Sequence, residues 1–244
     1  MIPRTSITVN QNVSGIWGKR LFFSLALLLT AYLILGSPVS AGDTHPKNSV
    51  GSYTKEGETY WIIPGGEVDV IQGNYTPGEL EALLPMTKQA EKAIVHRLPP
   101  CPLIVDGITH QARDIALFNG TRLRFIIGDD GALYAFTTAE GLEKFMAQQT
   151  TPRGGDPLIS VFHKDWLLRG DALILNSQSG IPNLSLIGFD NSISSTRIGT
   201  LCSWACLYDD FYFGGDSFYM LPGSEHQALT FEGWNDRASS VYVN

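Results

Sequence analysis

The chain is poor in the residues that build most familiar active sites. It has three cysteines and five histidines in 244 residues. The histidines, His45, His96, His110, His163 and His226, form no HExxH, no close pair and no spacing suited to zinc. No GxSxG occurs. Gly215-Asp216-Ser217 is superficially like a nucleophile motif, but it falls inside a repeat that accounts for it as a strand. Asp209 and Asp210 are neighbours, and neighbours on a strand point to opposite faces, so they are not expected to share a proton. His110 and Asp114 are read as surface residues. Basic residues are scarce too, 17 against 24 acidic, for a net charge of −7. Phosphate binding needs a basic surface, so a nucleic-acid partner is excluded. What the chain does have is 43% apolar residues, 25 glycines and 11% aromatics, the composition of a turn-rich, β-leaning globular protein.

The single long apolar run lies near the start. Lys19-Arg20 precede Leu21 to Gly36, and Ser37-Pro38-Val39-Ser40-Ala41 follow, with small residues at Val39 and Ala41. This is a basic region, a hydrophobic stretch and a cleavage-type end. Sixteen helical residues reach about 24 Å, short of the roughly 30 Å hydrocarbon core. Residues 1–41 are therefore predicted to be a signal peptide cleaved after Ala41, or else an uncleaved anchor. The remaining chain is expected to be secreted or, if anchored, outside-facing, and a membrane is a partner only in the anchored case. No cysteine follows the run, which excludes a bacterial-type lipid anchor. Cleavage would leave 203 residues with 14 basic and 24 acidic groups.

Residues 42–52 are small and polar and read as a linker. Residues 53–150 read as a small α/β domain of unknown role. Strands are expected at Tyr60–Ile63 and Val68–Ile71. A helix start at Thr76-Pro77-Gly78-Glu79 carries an N-cap, an N1 proline and an N3 glutamate. Pro85 is expected to split that helix from a second over Met86–Leu98. Leu123–Ile127 and Ala132–Phe136 flank Gly128-Asp129-Asp130-Gly131, a hairpin signal. Thr137 and Glu140 are expected to open a helix over Ala139–Gln148, and Thr151–Gly155 to mark a domain boundary.

The tail is an internal repeat. Phe162–Asp171 parallels Tyr208–Asp216, with one residue read as inserted in the first copy. Gly170 precedes Asp190 by 20 residues, as Gly215 precedes Asn235. At those points stand Asp190-Asn191-Ser192-Ile193-Ser194-Ser195 and Asn235-Asp236-Arg237-Ala238-Ser239-Ser240. Both fit one pattern: two Asp/Asn, two variable positions, Ser/Thr, then Ser. Ile198 and Val243 lie eight residues past each start. An aromatic, a glycine that folds the chain back and a long return to a paired strand describe a four-stranded Greek key, and two copies make a sandwich. The side-chain oxygens of these hexapeptides suit a hard cation; in the other reading of the motif, Ser194 and Ser239 only tie down the arch by hydrogen bonds.

On these residues the tail, about 156–244, resembles the microbial βγ-crystallin superfamily, whose calcium signature is the same doubled hexapeptide. The resemblance implies an all-β double Greek-key sandwich for the tail, with keys near 158–199 and 204–244, so that the expected fold is an α+β N-terminal domain followed by that sandwich. It implies Ca²⁺ held by the Ser192 carbonyl and Ser194 hydroxyl at one site, and by the Arg237 carbonyl and Ser239 hydroxyl at the other. Asp190, Asn191, Asn235 and Asp236 would supply crossed side-chain oxygens. Arg237 would contribute only its carbonyl and turn its charge to solvent. One carboxylate per hexapeptide implies weak affinity, about 10⁻⁵ to 10⁻³ M.

Cys202-Ser203-Trp204-Ala205-Cys206-Leu207-Tyr208 is also similar to secreted proteinase inhibitors of the Streptomyces metalloproteinase-inhibitor type, which share the crystallin-like fold. That likeness makes Cys202–Cys206 a candidate disulfide if the chain turns at Ser203-Trp204. Along a straight strand four residues span roughly 13 Å, beyond the ~7 Å Cα limit for a bridge. Cys101, in Pro99-Pro100-Cys101-Pro102, is either a buried thiol or a partner for one of the others. Aromatics crowding the second repeat are split by alternation between core and exterior, where they would meet a partner. The expected function is thus a non-enzymatic, calcium-stabilised structural or interaction module. The alternatives are a proteinase inhibitor and, more weakly, an enzyme seated in residues 53–149. Expected partners are calcium and a secreted protease or cell-envelope component.

Overall fold

The structure, a computed structural model, describes residues 46–83, 97–149 and 159–244. The expected export segment, the boundary at 151–155 and the helix expected over Met86–Leu98 lie outside the described residues, except Arg97 and Leu98, which are not helical. The chain divides into Met1–Gly42, also outside them, and one compact unit, Asp43–Asn244. Among the described residues no helix is long and apolar enough to cross a membrane.

The C-terminal strands are β8 (Ile159–Asp165), β9 (Arg169–Asn176), β10 (Ser179–Ile181), β11 (Ser195–Arg197), β12 (Ala205–Tyr208), β13 (Ser217–Met220), β14 (Glu225–His226) and β15 (Ser240–Val243). They form two Greek keys, β8–β11 and β12–β15, each of which gives its third strand to the other sheet. One sheet contains β14-β11-β8-β9 and the other β10-β15-β12-β13. The pairing sets the repeat at 45 residues throughout: Ser195 faces His163 as Ser240 faces Tyr208. No inserted residue separates the copies. Left-handed backbone recurs at the same offset, at Leu167/Tyr212, Leu168/Phe213, Gly170/Gly215, Gln178/Gly223, Gly188/Gly233 and Asn191/Asp236. At Gly170 and Gly215, with φ of 73° and 71°, a Cβ would also strike the carboxylates of Asp165 and Asp209. The fold-back glycines are therefore required in both keys.

The described residues before 150 build onto this sandwich. Their strands are β1 (Gly51–Lys55), β2 (Glu58–Ile62), β3 (Ile71–Gln72), β4 (Leu103–Val105), β5 (Ile108–His110), β6 (Arg124–Ile127) and β7 (Leu133–Phe136); the helices are α1 (Pro77–Leu83) and α2 (Ala139–Met146). β1 pairs with β9 and carries β2, making six strands in order β14-β11-β8-β9-β1-β2. β6 runs parallel to β13, giving the nine-strand order β3-β10-β15-β12-β13-β6-β7-β4-β5. The division into an α/β domain over 53–150 and a Greek-key domain over 156–244 is therefore not how the sheets are built. The physical reason is edge pairing: β9 and β13 would expose unpaired N–H and C=O groups, and β1 and β6 cover them. The predicted linker 42–52 likewise ends in structure. Ser49, Val50, Gly51 and Ser52 are buried, and β1 starts at Gly51.

Alternation explains the layering. In the nine-stranded sheet, Ala205, Leu207, Phe218, Met220, Val241 and Val243 face the six-stranded sheet. The residues between them, Cys206, Tyr208, Tyr219 and Tyr242, face a second core closed by Leu80 of α1 and Leu142 of α2. The aromatics expected outside the sandwich are thus largely covered by the chain's own helices. α1 starts with the predicted capping box, Thr76 N–H to Glu79 Oε2 at 2.9 Å and Glu79 N–H to Thr76 Oγ1 at 3.3 Å. α2 is capped one residue later than predicted, with Thr138 Oγ1 accepting from Gly141 N–H, while the Thr137 hydroxyl donates to Asp106.

Candidate functional site

The two hexapeptides meet between the keys. Their second residues, Asn191 and Asp236, adopt left-handed backbone (φ 49° and 51°), which Asn and Asp tolerate best after glycine. That turn exposes each N–H to the other motif. Asn191 N–H donates to the Ala238 carbonyl at 2.8 Å, and Asp236 N–H to the Ile193 carbonyl at 3.0 Å. The fifth residues, Ser194 and Ser239, donate their N–H groups to the carbonyls of His163 and Tyr208, both at 2.8 Å.

The arch tie belongs to the sixth position, not to the fifth as one sequence reading had it. The Ser195 hydroxyl donates to the Asp165 carbonyl at 2.5 Å and accepts from Leu168 N–H at 3.1 Å. The Ser240 hydroxyl does the same with the Asp210 carbonyl, 2.7 Å, and Phe213 N–H, 3.0 Å. The Ser194 hydroxyl is thereby left for another task. It donates across the motifs to Asp236 Oδ1 at 3.0 Å.

Around this crossed pair lies an open depression lined by Asn191, Ser192, Ser194, Asn235 and Asp236, and by Lys164–Leu167 and Arg169 of the β8–β9 hairpin. Asn235 donates to Asp236 Oδ2 at 2.7 Å and accepts the Trp166 indole N–H at 2.8 Å. The Ser192 hydroxyl is buried without a hydrogen-bond partner, and so is Asp190 Oδ1. Where Asn235 has the Trp166 N–H, the 45-residue counterpart of Trp166 is Phe211, which has no donor to offer Asp190.

The second half differs most at Arg237. Its side chain does not turn to solvent: the residue is 3% exposed. Its guanidinium donates to Asp209 Oδ2 at 2.7 and 3.2 Å and to Asp216 Oδ2 at 2.8 Å, and stacks 4.3 Å from the Trp234 ring. Two inward carboxylates and an aromatic face make burial of this charge feasible where solvent was expected. Burial and the neighbouring Asp216 outweigh Arg237 and push the Asp209 carboxyl up to about 6. Asp216 is fully buried and also accepts Leu123 N–H at 3.0 Å, so this polar cluster holds the N-terminal segment to the second key.

The expected Cys202–Cys206 disulfide is absent; both are free thiols, as is Cys101. Cys206 sits within β12 and faces the second core, whereas Cys202 lies in the bend before that strand and packs in the first, so the two thiols belong to different cores. Burial pushes the Cys202 thiol up to about 11 and that of Cys206 well above its ordinary value, which suppresses the reactive thiolate. No cluster of three His, Cys, Asp or Glu side chains placed to hold a metal occurs among the described residues.

The solved structures similar to this chain are βγ-crystallin domains. One, from Flavobacterium johnsoniae, is 32% identical over 36% of this chain and 93% of its own, with a TM-score of 0.29. A domain from Ciona intestinalis is 24% identical over 35% and 99%, TM-score 0.31, and spherulin 3A from Physarum polycephalum is 24% identical over 37% and 87%, TM-score 0.31. No protein-family profile matches the chain, and no curated protein does. The double Greek key is read from the chain's own strand order and register.

Of the residues singled out from sequence, Asn191, Ser192, Ser194, Asn235 and Asp236 line one depression, whereas the Arg237 side chain enters the Asp209–Asp216 cluster and Cys202 and Cys206 lie in separate cores. The sequence reading missed Trp166, Asp209, Asp216 and the tying serines. Writing the two copies in one strict 45-residue register would have exposed them, because each then stands opposite a counterpart of different chemistry or identical role.

Proposed function

We propose that the chain is a secreted, non-enzymatic βγ-crystallin-like module stabilised by calcium bound between its two Greek keys. The observation that carries this is the oxygen donor set assembled across the hexapeptides. Ser194 Oγ and Asp236 Oδ1 stand 3.0 Å apart at a depression that Ser192 also lines, and the buried Asp190 Oδ1 has no hydrogen-bond partner. Buried carboxylate oxygen without a donor is costly, and a hard cation removes that cost. The residues therefore fit the ion. At one site the Ser192 carbonyl and Ser194 hydroxyl would hold calcium with Asn235 and Asp236. At the other the Arg237 carbonyl and Ser239 hydroxyl would hold it with Asp190 and Asn191. The Arg237 charge does not oppose the ion, because Asp209 and Asp216 already engage it. Bound calcium would cross-link the two keys. External calcium at tenfold a site's Kd would add about 1.4 kcal/mol of stability per site. Secretion is supported by the basic, apolar and small-residue segments of residues 1–41.

The test is calorimetric titration of Ca²⁺ into chelator-stripped residues 43–244, with melting curves in calcium and in EDTA. Heat at about two sites and a higher melting point in calcium are expected, with one site lost in Ser194→Arg and in Ser239→Arg. Absence of both heat and thermal shift overturns the calcium reading.

A further inference from the structure

The pseudo-symmetry separates what the fold needs from what it does not. Both keys need the left-handed residues, the fold-back glycine and the tying serine, and both have them. The hairpin beside the open depression carries three residues whose counterparts lack their chemistry: Lys164 against Asp209, Trp166 against Phe211, and Arg169 against Gly214. The fold is made equally well without them.

Trp166 is 56% exposed, yet it is pinned. Its indole N–H is fixed to Asn235, Asn235 to Asp236, and Asp236 accepts the Ser194 hydroxyl, at 2.8, 2.7 and 3.0 Å in turn. A single chain of hydrogen bonds thus connects an exposed aromatic face to the candidate calcium oxygens. An exposed but immobilised indole loses little entropy on binding and offers an amphipathic platform. The Lys164 ammonium is already taken by Asp171, 3.1 Å away, whereas Arg169 is exposed and no ion pair engages it among the described residues. With calcium present the depression would carry the cation and one open guanidinium, a pair suited to carboxylates. Its volume, about 640 Å³, admits more than one sugar ring.

We infer that this depression binds an acidic glycan in a calcium-dependent manner. A sugar ring stacks on Trp166, and a uronate carboxylate meets Arg169 and the ion. The inference rests on the calcium reading and gives it a ligand class.

The test uses residues 43–244 and a panel of oligouronates (galacturonate, guluronate, mannuronate and glucuronate-containing), with cellohexaose as neutral control and phosphatidylserine vesicles as a separate arm. Binding is followed by calorimetry in calcium and in EDTA. At least one oligouronate is expected to bind in calcium only. Trp166→Ala and Arg169→Ala should each weaken it tenfold or more, and Arg169→Ala should do so while leaving calcium heat and melting temperature near the native values. Calcium heat with no oligouronate binding overturns the glycan assignment and leaves the calcium reading standing. Absence of calcium heat overturns both. Equal binding of cellohexaose, equal binding in EDTA, an unaffected Trp166→Ala variant, or partition onto vesicles without oligouronate binding each overturns it as well.

Discussion

The two Greek keys share one backbone and handle charge in opposite ways. In the first, the basic group sits on the hairpin, where half-exposed Lys164 meets Asp171. In the second, the basic group has moved to the hexapeptide as Arg237, and both hairpin partners, Asp209 and Asp216, are acidic and turned inward. The sheets differ in the same sense. β12, β13 and β15 are buried on both faces, whereas β8 and β9 keep partly exposed residues. A charge network placed against a sheet covered on both sides must be fully paired, while one at an open face can rely on water. The second key thus works as an anchor for the N-terminal segment, and the first presents its hairpin and Asn191 to solvent.

The largest test of this contrast is Arg237→Ala. It leaves two carboxylates buried without their cation and should cost about 3–5 kcal/mol. Lys164→Ala, its counterpart by position, should cost under about 1 kcal/mol. Urea unfolding of residues 43–244 measures both, and equal losses would erase the distinction. The next effect is in pH. The Asp209 carboxyl is raised to about 6 in the fold, against an ordinary value of 3.8, so the folded state holds the proton more tightly. Its contribution is complete below pH 4 and is lost as pH rises through 6, by roughly 2–3 kcal/mol. Melting points taken from pH 4 to 7 should fall more steeply in the native chain than in Asp209→Asn; parallel curves would count against the assignment. The smallest effect should be symmetric. Ser195→Ala and Ser240→Ala each remove one hydroxyl that serves an N–H and a carbonyl, at about 1–3 kcal/mol apiece. A clear inequality would mean that the two arches are not equivalent.

The repeat, the Greek keys and the hexapeptides were legible because they depend on local pattern: alternation, a fold-back glycine, and Asn/Asp where the backbone turns left-handed. The capping box of α1 and the β6–β7 hairpin were legible for the same reason. The sequence reading failed where a residue's meaning lay far along the chain. Val50 looked like part of a linker because its partner strand, β9, lies more than a hundred residues later. Cys202 and Cys206 looked like a pair because nothing local shows that the chain changes cores between them. Arg237 looked solvated because Asp209 and Asp216, the residues that bury it, carry no local mark of facing inward.

From sequence alone, then, come the 45-residue duplication, the fold of its two halves and the position of the oxygen-rich hexapeptides, since each follows from short-range stereochemistry. Only the tertiary structure decided that strands within residues 46–83 and 97–149 complete both sheets, that Arg237 is an internal cation, and that Trp166 is tied to the candidate calcium oxygens. Those outcomes turn on edge pairing, burial and the meeting of side chains distant in sequence, which local pattern does not encode.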